Sequence, residues 1–125
     1  MLVDYHRTGG FAGFDDRLVI FDNGAGVLSS KTGSREILVN QTVLNAIAST
    51  FTTAQFSQLE ANYTAAVGTA DLLHYTISYH GKTVNTEESA TPPDLLQVIN
   101  LLDQIILESE TSPPVTLPQK IIPTL

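Results

Sequence analysis

Residues 17–39 read RLVIFDNGAGVLSSKTGSREILV, and this stretch decides the class of fold. Its opening residues are mostly β-branched, apolar or aromatic, which favours a strand. The Asn-Gly pair at 23–24 predicts a tight hairpin turn, because both residues tolerate the positive φ angles that such a turn requires. Residues 25–30 return as a strand, and the turn at 31–34 leads into a further strand that ends at Val39. The stretch therefore predicts an antiparallel meander.

Alternating sequences on either side of this stretch extend the predicted sheet. Upstream, Leu2–Thr8 places Val3 and Tyr5 on one face and polar side chains on the other. Downstream, Leu73–Tyr79 alternates in the same way and turns through residues 80–82 into a strand over 83–86, which makes a second hairpin. We therefore expect an antiparallel sheet of about five or six strands.

Apolar residues at helical spacing predict helices between and after these strands. One helix follows Asn40 or Thr42, either of which is a suitable cap, and a second, short helix is expected over Gln55–Tyr63. Residues 91–94, TPPD, open a final helix that should run to about Glu108, because proline is tolerated in the first turn. Its predicted buried stripe is Leu95, Ile99, Leu102 and Ile106. The sequence thus predicts an α+β fold with two or three helices packed on one face of the sheet.

The chain length and the distribution of proline predict one domain followed by a tail. The 125 residues suit a single domain, which we place at residues 1–110. Four prolines then prevent a helix from continuing through residues 111–125. We expect this Pro-rich tail to be extended and dispensable for folding.

Composition excludes several classes of function. The chain has 6 basic and 13 acidic side chains and a formal charge of −7, which argues against nucleic acid and anionic membranes as partners. The absence of cysteine excludes disulfides and thiolate chemistry. Charge near the N-terminus argues against a signal peptide, and polar residues interrupt the longest apolar stretch, Leu95–Leu107. We therefore expect a cytoplasmic protein, and the sequence leaves its oligomeric state open.

Catalytic and metal-binding patterns are not found in the sequence. His74 and His80 are six residues apart on one predicted strand, about 20 Å, which is too far for one metal ion. The adjacent carboxylates at 15–16 and 87–88 would point to opposite faces of a strand, so neither pair is an acid–base couple. The chain contains no Gly-x-Ser-x-Gly elbow and no phosphate-binding loop. We expect no enzymatic activity, no cofactor and no bound metal.

The stretch at residues 8–14, TGGFAGF, is the unusual one. Its three glycines favour an irregular backbone, so we expect an exposed loop between two antiparallel strands. Two readings of its aromatic residues remain open. In one, Phe11 and Phe14 pack on the core, and in the other the loop presents a Phe to the pocket of a partner.

Residues 7–13, RTGGFAG, resemble the start of the emfourin family, which are small bacterial protein inhibitors of thermolysin-like metalloproteases such as protealysin. The order of later features is similar as well: a hairpin containing HYTI at 74–77, the acidic pair at 87–88, and Pro92-Pro93 before a Leu-rich helix. The resemblance covers roughly residues 3–14 and 72–107. The chain differs from shorter relatives by the hairpin at 23–39 and by its Pro-rich tail.

This resemblance implies a protein inhibitor that blocks the substrate cleft of a thermolysin-like zinc metalloprotease with its glycine-rich loop. Phe11 or Phe14 is the implied anchor, and Asp15 and Asp16, the carboxylates nearest the loop, are the candidates for blocking the zinc ion. The implied partner-binding residues are Gly9, Gly10, Phe11, Ala12, Gly13, Phe14, Asp15 and Asp16. Two alternatives stay open: a non-inhibitory protein-binding or adaptor domain, and an α+β domain that binds a small ligand.

Overall fold

Seven strands and two α-helices account for most of the chain that the structure, a computed structural model, describes: residues 1–68 and 72–111. The strands are β1 (Val3–Gly9), β2 (Phe14–Ile20), β3 (Ala25–Ser30), β4 (Gly33–Leu38), β5 (Asn62–Tyr63), β6 (Leu73–Tyr79) and β7 (Lys82–Glu87). The α-helices are α1 (Gln41–Thr53) and α2 (Pro93–Thr111), and two short 3-10 helices span Phe56–Gln58 and Glu88–Ala90. The α+β class and both hairpins predicted from the sequence are confirmed.

The strands form one sheet in the order β4-β3-β2-β1-β6-β7-β5. Every neighbouring pair is antiparallel except β5 and β7, which are parallel. The sheet therefore has one strand more than the five or six expected. Because this short edge strand is parallel to its neighbour, the expectation of a fully antiparallel sheet is wrong. Its pairing depends on long-range contacts, such as the backbone bond from Asn85 N to Ala61 O at 2.8 Å, which local sequence patterns do not encode.

The prediction of a short helix over Gln55–Tyr63 is also wrong, because only one 3-10 turn, Phe56–Gln58, forms there. Gln55 adopts a left-handed φ of 52°, which ends the helical path after α1. The ammonium group of Lys82 then donates hydrogen bonds to the carbonyl oxygens of Ser57 and Leu59. These contacts direct the chain toward the sheet edge and away from a second helical turn.

The core lies between one face of the sheet and both α-helices, as the sequence predicted. Alternate strand residues such as Tyr5, Leu18 and Ile77 are fully buried on that face. The predicted stripe of α2 is confirmed, because Leu95, Ile99, Leu102 and Ile106 are each no more than 1% exposed. Burial of this stripe, together with Ile47 and Phe51 of α1, fixes the helices on the sheet.

The opposite face of the sheet, which we call the open face, is mostly polar over β1, β6 and β7, and toward β4 it carries the exposed apolar side chains Phe21 and Leu38. Arg17 of β2 forms a two-point ion pair there with Asp4 of β1, with Nε–Oδ1 and Nη2–Oδ2 distances of 2.9 and 2.5 Å. Thr76 and Asn85 form a cross-strand hydrogen bond of 2.9 Å between β6 and β7. A polar second face is typical of an antiparallel sheet that is covered by helices on one side only.

The ends of the helices follow local chemistry. Asn40 caps α1, because its side-chain oxygen accepts a hydrogen bond of 2.9 Å from the amide of Val43. Helix α2 continues to Thr111, three residues beyond the expected end at Glu108. Thr111, the first residue of the predicted extended tail (111–125), is therefore helical, and the rest of that tail lies outside the described residues. Neither helix, as far as the structure describes the chain, combines the length and apolar character that crossing a membrane requires.

Candidate functional site

Residues 10–13 form the loop of the β1–β2 hairpin, and we call them the recognition loop. Gly9, Gly10 and Gly13 all have positive φ angles, of 88°, 73° and 68°, which only glycine adopts without strain. The amide of Gly13 donates to the carbonyl of Gly10 at 3.1 Å and closes a tight turn. The predicted exposed loop between two antiparallel strands is confirmed.

The base of the recognition loop is held against the start of β6. The amide of Gly10 donates a hydrogen bond of 3.1 Å to the carbonyl of Leu72. A Cβ atom at Gly9 would lie only 2.9 Å from that same carbonyl oxygen, so the close approach requires glycine there. The first glycine of the run thus has a structural reason that the sequence alone did not supply.

The two phenylalanines of the site have different environments. Phe11, at the tip of the loop, is 94% exposed, whereas Phe14, the first residue of β2, is 40% exposed. Cζ of Arg7 lies over the Phe14 ring, 4.8 Å from its centroid, in a cation–π contact. The reading in which Phe11 packs on the core is therefore wrong, and Phe11 is the aromatic side chain that the loop presents.

The adjacent carboxylates Asp15 and Asp16 point to opposite faces of the sheet. Asp15 lies on the open face, where its Oδ1 is 2.9 Å from Nε2 of His6 and its side chain is 60% exposed. Asp16 faces the helices, is 6% exposed, and accepts a hydrogen bond of 2.9 Å from Nε of Arg7. Alternation along the strand predicts this split, but not which of the two carboxylates is buried.

Beneath the loop, five side chains form what we call the Arg7 cluster: Tyr5, Arg7, Phe14, Asp16 and Asp103. Arg7 donates from Nη1 to Oδ1 of Asp103 at 2.9 Å, in addition to its bond to Asp16. The Tyr5 hydroxyl donates to the same Asp103 oxygen at 2.6 Å. Through Arg7, the cluster joins β1, β2 and α2 directly below the recognition loop.

Sequence reasoning missed the Arg7 cluster, although one signal was available. Arg7 continues the series Val3 and Tyr5, whose side chains alternate into the core, so a charged residue falls on an inward position. A buried charge requires a partner. Its partner Asp103 is separated from it by 96 positions along the chain, and no local pattern identifies it.

The electrostatics of the cluster keep Tyr5 neutral and Arg7 charged. Burial, and then the negative charge of Asp103 and the hydrogen bond to it, raise the pKa of the Tyr5 hydroxyl well above its ordinary value. Burial alone would lower the pKa of Arg7, but Asp16 and Asp103 outweigh it and raise the pKa above its usual value. The cluster is therefore a fixed ion-pair network at neutral pH.

The buried Tyr5 hydroxyl predicts a loss of stability in alkali. In the unfolded chain Tyr5 ionises near its ordinary pKa of 10.0, whereas in the folded protein its pKa is raised and it keeps its proton. The free energy of unfolding should therefore fall above pH 10, by up to about 1.4 kcal/mol per pH unit from this group. Tyr5→Phe should remove that part of the slope, measured by urea unfolding at pH 8, 10 and 11. An unchanged slope in the variant would contradict the assignment to Tyr5.

His74 and the second carboxylate pair lie beside the recognition loop, on its β6 side, whereas His80 lies at the far end of β6. His74 Nδ1 is 3.4 Å from Oε2 of Glu87 on the open face, and His80 stacks on Tyr79 in the β6–β7 turn. Glu87 and Glu88 accept backbone amides of the β5–β6 connection and of β6, at 2.6 and 3.2 Å. Across residues 1–68 and 72–111, no group of three His, Asp or Glu side chains converges as a metal site would require.

Two other segments border the recognition loop. Thr64–Gly68 lines a shallow groove together with Gly9 and Gly10, and Val67 in this segment is fully exposed. On the other side, the β3–β4 turn brings Lys31 close: its Nζ lies 3.5 Å from where a Cβ of Gly13 would be. The candidate site is thus a projecting loop with a groove on one flank, which His74 and Glu87 also line, and Lys31 on the other.

Comparison with known proteins adds no family to these observations. No protein-family model matches the sequence, and no curated protein or solved structure is similar enough to count as a match.

Proposed function

We propose that this protein is an inhibitor of a thermolysin-like zinc metalloprotease, and that the recognition loop occupies the substrate cleft of the enzyme. The observation that carries the proposal is the 94% exposure of Phe11 at the tip of a short, glycine-framed hairpin. The resemblance of residues 7–13 to the start of the emfourin family supports the choice of enzyme. The proposed role is one of binding, with no catalytic step performed by this chain.

Phe11 supplies the binding energy in this proposal. Thermolysin-like enzymes favour a bulky apolar side chain in the pocket on the leaving-group side of the cleaved bond. Transfer of a Phe side chain from water into such a pocket is worth about 1.5–3 kcal/mol. Because Phe11 is already extended into solvent, it can enter the pocket without rearrangement of the core.

The hairpin supplies the rigidity that an inhibitory loop needs. Strands β1 and β2 pair over their full lengths, from Val3–Ile20 to Gly9–Phe14, so the loop leaves from a fixed base. The Gly10–Leu72 hydrogen bond ties that base to β6 as well. A loop that is ordered before binding loses less conformational entropy when it binds.

Of the two candidate carboxylates, Asp15 is the one that we propose reaches the zinc ion of the enzyme. Its side chain is exposed on the flank of the loop, and its one partner in the described residues is His6, itself an exposed side chain. The carboxylate of Asp16 is buried and bound to Arg7, so using it would require the Arg7 cluster to break. We therefore assign Asp16 a supporting role beneath the loop.

The experiment that tests the proposal is a titration of the purified protein into a thermolysin-like protease with a fluorogenic peptide substrate. We expect competitive loss of activity with one inhibitor per enzyme. Binding without loss of activity would favour the alternative, a non-inhibitory protein-binding domain. Absence of both binding and inhibition across several enzymes of this class would contradict the proposal.

A further inference from the structure

The recognition loop contains a bond that a thermolysin-like enzyme should cleave. These enzymes hydrolyse the peptide bond before a bulky apolar residue, which here is the bond between Gly10 and Phe11. Hydrolysis adds water across that bond and leaves a carboxylate on Gly10 and an ammonium group on Phe11. Because Phe11 is 94% exposed, access to its side chain does not protect the bond. An inhibitor with this loop therefore needs another source of resistance.

The Arg7 cluster is placed to supply that resistance. Arg7 lies two positions before Gly9, and its partners Phe14 and Asp16 lie at the start of the returning strand. One guanidinium group thus links the two strands just below the hairpin loop. Its second carboxylate partner, Asp103, belongs to α2 and fixes the group to the helical layer.

We propose that Arg7 is a positioning residue that keeps the two ends of the recognition loop at a fixed separation and so makes the Gly10–Phe11 bond resistant to cleavage. Proteolysis requires a chain segment to open into an extended conformation in the protease cleft. A loop whose ends are held by β1, β2 and α2 together opens rarely. The inference rests on the proposed function for its biological meaning, but the rigidity that it assigns to Arg7 is testable without a target enzyme.

Arginine is required for this role because of the shape of its side chain. The planar guanidinium contacts Asp16 through Nε and Asp103 through Nη1, and its Cζ lies over the ring of Phe14. A lysine ammonium keeps the charge but has neither the two-sided fork nor the flat stacking surface. Arg7→Lys should therefore loosen the loop while leaving the charge of the cluster unchanged.

The test is limited proteolysis of the full chain, with cleavage sites identified by mass spectrometry. Chymotrypsin, which cuts after Phe, reports opening at Phe11, and thermolysin reports the Gly10–Phe11 bond. We expect Arg7→Lys to be cut within residues 10–12 roughly tenfold faster than the wild type by both enzymes. The control is Arg17→Lys, which makes the same substitution in the two-point ion pair with Asp4 on the open face and should leave the rate unchanged.

Three results would overturn the inference. The Arg7→Lys rate could match the wild type, the Arg17→Lys control could rise as much, or new cleavage could spread over the whole chain, which would show general destabilisation. Asp103→Asn weakens the same cluster from the side of α2 and should also increase cleavage within residues 10–12. Chymotrypsin is not the proposed target, so its result decides the role of Arg7 even if the wild type inhibits no metalloprotease.

Discussion

Replacement of Leu102 by alanine should lower the free energy of unfolding by about 2–5 kcal/mol. Leu102 is fully buried at the centre of α2, within the single core that the two helices and the sheet share. Its truncation removes contacts on several sides and leaves a cavity that a packed core fills only in part. Urea unfolding followed by circular dichroism measures the change, and an equal denaturant slope would show that both proteins unfold in the same way.

Leu96→Ala is the matched control on the same helix. Leu96 is 46% exposed, so the same chemical change removes far fewer buried contacts, and we expect a loss of less than about 1 kcal/mol. A loss at Leu102 below about 0.5 kcal/mol, or equal losses at both positions, would contradict the placement of α2 on the sheet. The comparison also removes the intrinsic helix preference of alanine, which acts at both sites.

Much of the fold could be predicted because its determinants are local. The Asn-Gly pair at 23–24, the alternation in β1 and β6, and the apolar spacing of α2 each specify an element within a short window. The short strand β5 could not be predicted, because its two residues, Asn62 and Tyr63, gain strand geometry only by pairing with β7. The left-handed conformation of Gln55, which prevents a second helix, is likewise not indicated by its residue type, because glutamine rarely adopts a positive φ.

The candidate site was only partly predictable for the same reason. Three closely spaced glycines predict an exposed loop, and a Phe between them is a visible anchor. The different environments of Asp15 and Asp16 depend on which face of the sheet the helices cover, which the sequence of β2 alone does not determine. The support from α2 through Asp103 required the folded structure.

The second large effect concerns Phe11. Phe11→Ala should weaken inhibition of a thermolysin-like protease by about 2 kcal/mol or more, which is roughly thirtyfold. In the proposed complex, the ring enters an apolar pocket and loses its contact with water, which it keeps in the free protein. Because Phe11 is 94% exposed in the free protein, the free energy of unfolding should change by less than about 0.5 kcal/mol.

Phe14→Ala is the informative companion variant. The Phe14 ring packs on Arg7, so its removal should reduce stability as well as inhibition. Phe11→Ala should therefore weaken inhibition alone, whereas Phe14→Ala should weaken inhibition and also lower stability. This contrast separates an anchor residue from a residue that supports the loop.

The central claim, that the recognition loop binds the protease through an exposed Phe, is tested most directly by measuring inhibition and urea unfolding on the same preparation of Phe11→Ala. The account predicts an inhibition constant about thirtyfold weaker, together with an unfolding midpoint equal to that of the wild type. Unchanged inhibition by a fully folded variant would show that the loop is not the binding element and would contradict the account.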